Sequence, residues 1–290
     1  TDIWVSTFHS ACVKILRKDI EKIGYTRDFV IYDASDQKVV LKECFKELNV
    51  NDELYPLPMV LHKIGDAKDN MLTPRKYLEI NQADFQSVTV GKIYERYQTK
   101  LKKNNALDFD DLIFKVVELF ENNPDVLNFY QRKFQYIMVD EYQDTNQIQY
   151  KLVSMLAGTH KNLCVCGDDD QSIYSWRGAD IRNILNFEVE FPKANVIKLE
   201  QNYRSSKTIL ETANCVIKNN FGRKDKTLWT SNDKGEQIQF YSADNEHAEG
   251  MFIANQIRCV VEEGTRNYDE FAILYRTNAQ SRVIEEMLIK

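Results

Sequence analysis

The sequence predicts an α/β fold in which short parallel strands alternate with helices. The chain has 10 glycines and 5 prolines in 290 residues, well under half of their usual share of roughly 12%. Long helices with few turns are therefore expected. Runs of four or five apolar residues recur between segments of helical periodicity, and this alternation is typical of a parallel sheet covered by helices. These two observations argue against an all-β sandwich and against a disordered chain.

The first third of the chain is predicted to be mostly helical. Apolar residues recur at helical spacing over residues 10–23, a second helix opens at Ser35, and residues 59–104 continue mostly helical. Residues 3–5 have the pattern of a buried strand. Because this strand pattern begins almost at Thr1, and because the last helix has no capping residue, we expect a piece of a longer protein.

From residue 105 onward, strands and helices alternate. Apolar runs predict strands at residues 136–139, 163–166, 196–199, 237–241 and 271–275. Helices are predicted between them, after Asp108, up to Leu156, from Ala179, at 248–261 and at 281–290. In parallel sheets of this type ligands bind at the carboxyl ends of the strands. The residues that directly follow each strand are therefore the candidate site.

Composition limits the kinds of partner. With 44 acidic and 38 basic residues the net charge is −6, so a nucleic-acid contact must be local rather than a property of the whole surface. No apolar run approaches the roughly 20 residues of a membrane helix, so no membrane partner is expected. The six cysteines form no C-x-x-C pair, which argues against a zinc site or a disulfide framework. Cys164 and Cys166 are expected to be buried thiols, in a reducing, cytoplasmic compartment.

The first candidate site follows the strand that ends at Val139. An aspartate directly after an apolar strand, here Asp140, is where nucleotide hydrolases hold Mg²⁺, and the adjacent Glu141 can orient and deprotonate the attacking water. An acidic pair can also simply cap the next helix.

The second candidate site is the loop from Gly167 to Ala179. Asp168, Asp169 and Asp170 repel one another unless a cation or water relieves them. Gln171 can hydrogen-bond a phosphate or the lytic water, and Trp176 offers a stacking face beside a cation. The alternative is a solvated acidic loop whose tryptophan packs in the core.

The third candidate site, at residues 199–206, again lies between a predicted strand and a helix. Tyr203 can stack on a base, and Arg204 can reach a γ-phosphate as an arginine finger. The alternative is a helix start with an exposed arginine.

Six motifs together resemble the UvrD/Rep family of superfamily 1 DNA helicases. They are Thr7–Ser10, Leu107–Leu112, Asp140–Asp144, Gly167–Asp180, Gln201–Ser205 and Leu274–Arg282. The resemblance implies RecA-like parallel-sheet motor domains with an all-helical insert subdomain. Residues 1–28 and 105–198 would form an incomplete first motor domain, residues 29–104 the insert, and residues 199–290 the start of a second motor domain.

The resemblance also implies roles in ATP hydrolysis. Asp140 would hold Mg²⁺, and Glu141 would be the general base for water attack on the γ-phosphate of ATP. Gln171 would contact that phosphate, as would Arg204, while Tyr203 would stack on adenine.

Further residues of these motifs would bind DNA. Tyr174 and Trp176 resemble an aromatic pair that holds single-stranded bases, at about 1–3 kcal/mol per stacked base. Thr7, His9, Arg276 and Asn278 fall in motifs associated with the DNA strand. A lone histidine such as His9 can equally be a packed core residue. Lysines 100, 102 and 103 of the insert would meet duplex phosphates, although such a charge run is usually only a solvated face.

The chain departs from the family pattern, because the phosphate-binding loop G-x-x-x-x-G-K-[ST] is absent from its 290 residues. The family motifs that belong further along, including a second arginine for the γ-phosphate, are missing as well. We therefore expect that this chain alone neither binds ATP tightly nor hydrolyses it.

The resemblance implies that the whole protein is an ATP- and Mg²⁺-dependent helicase that moves 3′ to 5′ along single-stranded DNA and unwinds duplex DNA. It would be bacterial and nucleoid-associated, with repair or replication proteins as further partners. Two alternatives remain. The chain could be the helicase portion of a helicase-nuclease, or a non-catalytic single-strand DNA-binding module.

Overall fold

The computed structural model describes residues 3–224 and 226–290. The chain divides into two compact units. The first contains the residues up to 198 together with 220–226, and the second contains residues 199–219 and 227–290.

Among its described residues, the first unit is mostly helical and contains four short strands. The helices are α1 (Phe8–Asp19), α2 (Ala34–Leu48), α3 (Leu57–Asp69), α4 (Pro74–Ile80), α5 (Phe85–Lys103), α6 (Phe109–Asn122), α7 (Pro124–Lys133), α8 (Gln147–Ala157), α9 (Arg182–Leu185) and α10 (Phe187–Glu190). The strands are β1 (Val30–Ile31), β2 (Ala106–Leu107), β3 (Ile137–Val139) and β4 (Leu163–Val165). Both strand pairs are parallel, β1 with β2 and β3 with β4. The predicted α/β class with parallel strands is confirmed.

Two large apolar clusters hold most of the buried apolar residues described in this unit, and a smaller third one contains Val139, Tyr142 and Val153. One joins α1, α6 and α8 through fully buried residues such as Leu16, Val116 and Ile148. The other lies within residues 40–106, where Leu41, Ile93 and other residues of α2, α3 and α5 pack together. Each cluster collects the apolar positions that recur at helical spacing in the sequence. The division into motor domain and insert stays a prediction.

Side-chain caps determine where several helices begin. Asp108 precedes α6, and its carboxylate accepts the backbone N–H of Asp111 at 2.9 Å, while the Asp111 carboxylate accepts the Asp108 N–H at 3.4 Å. Asn146 and Gln149 form the same reciprocal box at the start of α8. Such boxes satisfy backbone donors that the first helical turn leaves unpaired. Helices α6 and α8 are therefore held at their amino ends.

A buried ion cluster joins α3 to the start of α6. The Lys68 ammonium lies 2.6 Å from an Asp108 carboxylate oxygen and 3.0 Å from an Asp111 oxygen, and all three residues are at most 2% exposed. The Tyr97 hydroxyl donates a further hydrogen bond to Asp108 at 3.0 Å. The carboxylates raise the pKa of Lys68 although burial acts in the opposite direction. Lys68 is therefore charged in the folded chain, and the sequence had not singled it out.

The second unit contains α11 (Lys207–Ile217), α12 (Glu246–Glu262) and α13 (Asn278–Ile289). Helices α12 and α13 pack closely at Gly250, where a Cβ atom would lie 2.9 Å from the Met287 Cγ. A parallel bridge between Gln201 and Trp229 is the β pairing found among the described residues of this unit.

Several expected elements are not formed. Residues 3–5, 196–199, 237–241 and 271–275 are not strands, and the helix expected from Ala179 is replaced by the short α9 and α10. Ile197, Phe240 and Leu274 are accordingly exposed. A strand requires a hydrogen-bonded neighbouring strand, and these described runs belong neither to the two parallel strand pairs nor to the bridge between Gln201 and Trp229.

The expectation of buried thiols at Cys164 and Cys166 is also wrong. Both side chains are exposed, as is Met138 on the neighbouring strand. Alternate residues of a strand do share one face, but that face of the pair β3 and β4 is uncovered. Within the described residues, no helix combines the length and apolar character needed to cross a membrane.

Candidate active site

The first two candidate sites lie side by side because β3 and β4 are parallel and in register. Val139, the last residue of β3, is opposite Val165, the last residue of β4. The pairing continues past the strands, since the Tyr142 N–H donates to the Cys166 carbonyl at 2.9 Å. The acidic pair after β3 and the acidic loop after β4 therefore meet at one edge of the sheet.

Asp140 and Glu141 are both exposed at this edge. Glu141 has a φ of +50°, a left-handed conformation that costs a non-glycine residue about 1–2 kcal/mol. The Asp140 carboxylate accepts the Glu141 N–H at 3.0 Å and stabilises this turn. Backbone strain of this kind is concentrated at functional sites. The accessible carboxylate of Asp140 is a hard oxygen donor, which fits Mg²⁺.

Gln171 lies in a 3₁₀ turn that spans Asp169–Gln171. Its amide donates to the Asp168 carboxylate at 2.8 Å, and the Asp168 N–H donates to the Gln143 side-chain oxygen at 3.0 Å. The Gln143 amide nitrogen in turn donates to the Glu141 carboxylate at 2.8 Å. One hydrogen-bonded chain thus connects Glu141 with Gln171. Sequence reasoning missed Gln143, although its place two residues after Glu141 was a usable signal.

The acidic triplet, Asp168–Asp170, is neutralised by basic groups of residues 220–226. Arg223 forms a bidentate pair with Asp170 at 2.8 and 2.6 Å, and the Lys226 ammonium contacts all three carboxylates. The hydrogen bonds from Arg223 hold the pKa of Asp170 below its usual range. The sequence predicted that a cation or water relieves the repulsion within this triplet, and in the structure these side chains supply the positive charge.

The expected aromatic pair is present and accessible. The Tyr174 and Trp176 ring centroids are 6.4 Å apart, and the Arg177 guanidinium lies 4.5 Å from the Trp176 ring and 5.1 Å from that of Tyr174. Trp176 is 66% exposed, so the alternative in which it packs in the core is wrong. Arg177 belongs to this group, and the sequence had noted it only as a neighbouring cation.

Beside this pair is a cavity of about 520 Å³, whose lining includes His9, Asp110, Asp144, Tyr174 and Arg177. His9 lies against Phe109 with 4.7 Å between ring centroids, and burial lowers its pKa. The structure therefore brings His9 and Tyr174 to one cavity. Thr7 instead caps α1 by accepting the Ser10 N–H at 3.3 Å.

The remaining candidates lie in the second unit. Tyr203 and Arg204 are both exposed in the turn before α11, and the Asn202 side chain accepts the Arg204 N–H at 3.0 Å. Arg276 precedes α13, where its N–H donates to Gln280 at 3.0 Å, and Asn278 is the first residue of that helix.

The acidic groups of the cavity make stability depend on pH. Burial, with the nearby Asp108 charge, raises the pKa of Asp110 from 3.8 to about 7, and burial raises that of Asp69 to about 6. Between pH 4 and 7 these two carboxyl groups bind more protons in the folded chain than in the unfolded chain, so their contribution to stability falls as pH rises through this window. We expect urea unfolding midpoints to show this fall, and Asp110→Asn to reduce it.

Asp52→Asn is the matched control for that measurement, because Asp52 is exposed. In this variant the urea unfolding midpoint is expected to change with pH as it does in the wild type. If the urea unfolding midpoint of Asp110→Asn changes with pH as steeply as that of the wild type, Asp110 is not a source of the pH dependence.

Two family models match the chain in succession. The UvrD/REP helicase N-terminal domain matches residues 1–192, and the UvrD-like helicase C-terminal domain matches residues 197–290. The chain therefore belongs to the UvrD/REP helicase family, as its six motifs indicated.

Among curated proteins the chain is similar to several bacterial helicases that bear one name. It is 55% identical over 289 residues to the ATP-dependent DNA helicase PcrA of Bacillus subtilis (strain 168). It is 53% identical over 288 residues to PcrA of Staphylococcus aureus (strain Mu50) and 52% identical to PcrA of Staphylococcus epidermidis. These matches cover 99–100% of the chain but 39% of the length of each relative, which is consistent with a piece of a PcrA-like helicase.

Proposed function

We propose that this chain is part of an ATP-dependent DNA helicase that couples ATP hydrolysis to 3′ to 5′ translocation on single-stranded DNA and to duplex unwinding. The observation that carries the proposal is the hydrogen-bonded chain from Glu141 to Gln171, which joins two strand ends. The similarity to ATP-dependent DNA helicases over the whole chain supports it.

In this proposal the polar edge of β3 and β4 serves ATP hydrolysis. Glu141 accepts the proton of the attacking water. Its carboxylate is exposed, so a water molecule can reach it. Asp140 holds Mg²⁺, which when bound neutralises phosphate charge. Gln171 contacts the γ-phosphate together with Arg204, and Tyr203 stacks on the adenine base.

DNA binding is assigned to the aromatic pair and to the residues around it. Trp176 and Tyr174 stack on bases, and the guanidinium of Arg177 adds a cation beside both rings. Thr7, His9, Arg276 and Asn278 contact the strand. Gln171 and Trp176 are five residues apart on one loop. When phosphate displaces Gln171, the backbone of this short loop can therefore pass the movement on to the Trp176 ring.

The polarity of unwinding tests the proposal. The full-length protein that carries this chain is expected to hydrolyse ATP in a DNA-dependent manner and to unwind a duplex with a 3′ single-stranded tail, but not one with a 5′ tail. A strand-displacement assay on the two substrates measures this. The proposal would be overturned if the protein unwound the two substrates equally well, or if it unwound neither of them with ATP present.

The 290-residue chain alone serves as the control. Without the glycine-rich phosphate cradle and its lysine, it is expected to show no binding of a fluorescent ATP analogue in the low micromolar range. We also propose a cytoplasmic, nucleoid-associated location, with repair or replication proteins as partners.

A further inference from the structure

Gln143 is a buried polar residue at the centre of the hydrogen-bonded chain described above. Its side chain is 1% exposed although it lies in the turn that immediately follows the acidic pair. Its amide nitrogen donates to the Glu141 carboxylate at 2.8 Å, and its amide oxygen accepts the Asp168 N–H at 3.0 Å. A buried amide with both ends satisfied is held in one orientation.

The chemistry of the two partners determines that orientation. An ionised carboxylate only accepts hydrogen bonds and a backbone N–H only donates them, so the residue between them must do both. A glutamine side chain meets this requirement. The Gln143 side chain fits here because residue 167 is a glycine. A Cβ atom at that position would lie 2.6 Å from the Gln143 amide oxygen, which is too close. Gly167 therefore allows the close approach of Gln143 to the loop after β4.

Glu141 needs such a partner. Its side chain is exposed and has several rotatable bonds, and its backbone is in the left-handed region. Among the described residues, Gln143 is the side chain that hydrogen-bonds the Glu141 carboxylate. Losing that bond would let the carboxylate sample several rotamers.

We infer that Gln143 is a positioning residue that aligns the Glu141 carboxylate and, through Asp168, ties it to the turn that carries Gln171. The inference rests on the proposed function, since it assigns to Gln143 an effect on ATP hydrolysis. The same amide that orients Glu141 also holds the backbone of Asp168, whose carboxylate holds Gln171. The general base and the phosphate-contacting glutamine are thereby kept in one geometry.

The test is Gln143→Met in the full-length protein, which keeps the length of the side chain and removes both hydrogen bonds. We expect kcat for DNA-stimulated ATP hydrolysis to fall about 100-fold, the size of effect that a misplaced catalytic group produces. The Kd of a non-hydrolysable ATP analogue should change less than about twofold, because the side chain is buried and the proposed effect is on the alignment of Glu141. The ionised side chain of Gln143→Glu still accepts the Asp168 N–H but cannot donate to Glu141, so this variant is expected to lose kcat at pH values where its new carboxyl group is ionised.

A second buried glutamine provides the matched control. Gln131 is 8% exposed, and its amide donates to the Met155 carbonyl at 2.8 Å, away from this site. Gln131→Met is therefore expected to lower thermal stability as much as Gln143→Met does while leaving kcat near the wild-type value. Equal kcat values for the two variants would overturn the inference.

The double variant Glu141→Gln with Gln143→Met shows whether Gln143 acts through Glu141. If it does, the double variant loses no more activity than Glu141→Gln alone, because residues that act as a unit are not additive. A further multiplicative loss would contradict the inference. If Glu141→Gln alone retains turnover, the proposed function fails, whereas turnover lost in Glu141→Gln but kept in Gln143→Met refutes the positioning role alone.

Discussion

Glu141→Gln is expected to abolish DNA-stimulated ATP hydrolysis in the full-length protein while nucleotide binding is retained. The substitution keeps the size of the side chain but removes the group that accepts a proton from water. General-base catalysis contributes about 10²–10⁴-fold to such rates, so residual turnover should fall by at least about 100-fold. Steady-state ATPase measurements, with an equilibrium titration of a non-hydrolysable analogue, check both halves of the expectation.

Glu53→Gln is a suitable control, since Glu53 is an exposed glutamate in the loop before α3. It should hydrolyse ATP at the wild-type rate. Unchanged ATPase activity in Glu141→Gln would refute the role of Glu141 as general base.

Lys68→Met is expected to destabilise the chain more than any surface substitution. The change leaves the carboxylates of Asp108 and Asp111, at 2% and 0% exposure, without their shared cation. Removing one partner of a buried ion pair typically costs about 3–5 kcal/mol, because the remaining charge stays buried. Urea unfolding of the 290-residue chain, followed by circular dichroism, measures this loss.

Two further variants show whether the cause is the uncompensated charge. Lys103→Met removes an exposed lysine at the end of α5 and should alter stability by less than about 0.5 kcal/mol. Adding Asp108→Asn and Asp111→Asn to Lys68→Met removes the stranded charges, and asparagine at position 108 still caps α6. This triple variant should recover part of the lost stability. If Lys68→Met behaves like Lys103→Met, the ion cluster does not stabilise the fold.

Local patterns in the sequence were enough to predict which candidate residues of the first two sites lie together. The apolar runs that became β3 and β4 are short and lie between helical segments, so parallel pairing followed from their arrangement. Parallel pairing then placed the residues after each run at one edge, and Asp140, Glu141 and Gln171 do lie there. These inferences succeed because they depend on residues close together in the chain.

The same reasoning failed where a pattern needed a distant partner. The apolar run at residues 196–199 has the composition of a strand, yet it does not form one, and Ile197 is 74% exposed. Strand propensity records how well a side chain fits a half-buried sheet. A strand also needs a hydrogen-bonding neighbour, and nothing within the run specifies one.

The sequence by itself therefore determined the α/β class, the family and the residues that follow the strands, because periodicity and motif spacing are local properties of the chain. Only the tertiary structure decided which charges meet. Lys68 pairs with carboxylates about 40 residues away, and Arg223 and Lys226 reach the acidic triplet from more than 50 residues away. It likewise placed Gln143 between Glu141 and Asp168. Whether an ionisable or amide side chain is solvated or partnered depends on burial and on contacts between distant segments, and these arise only when the chain packs.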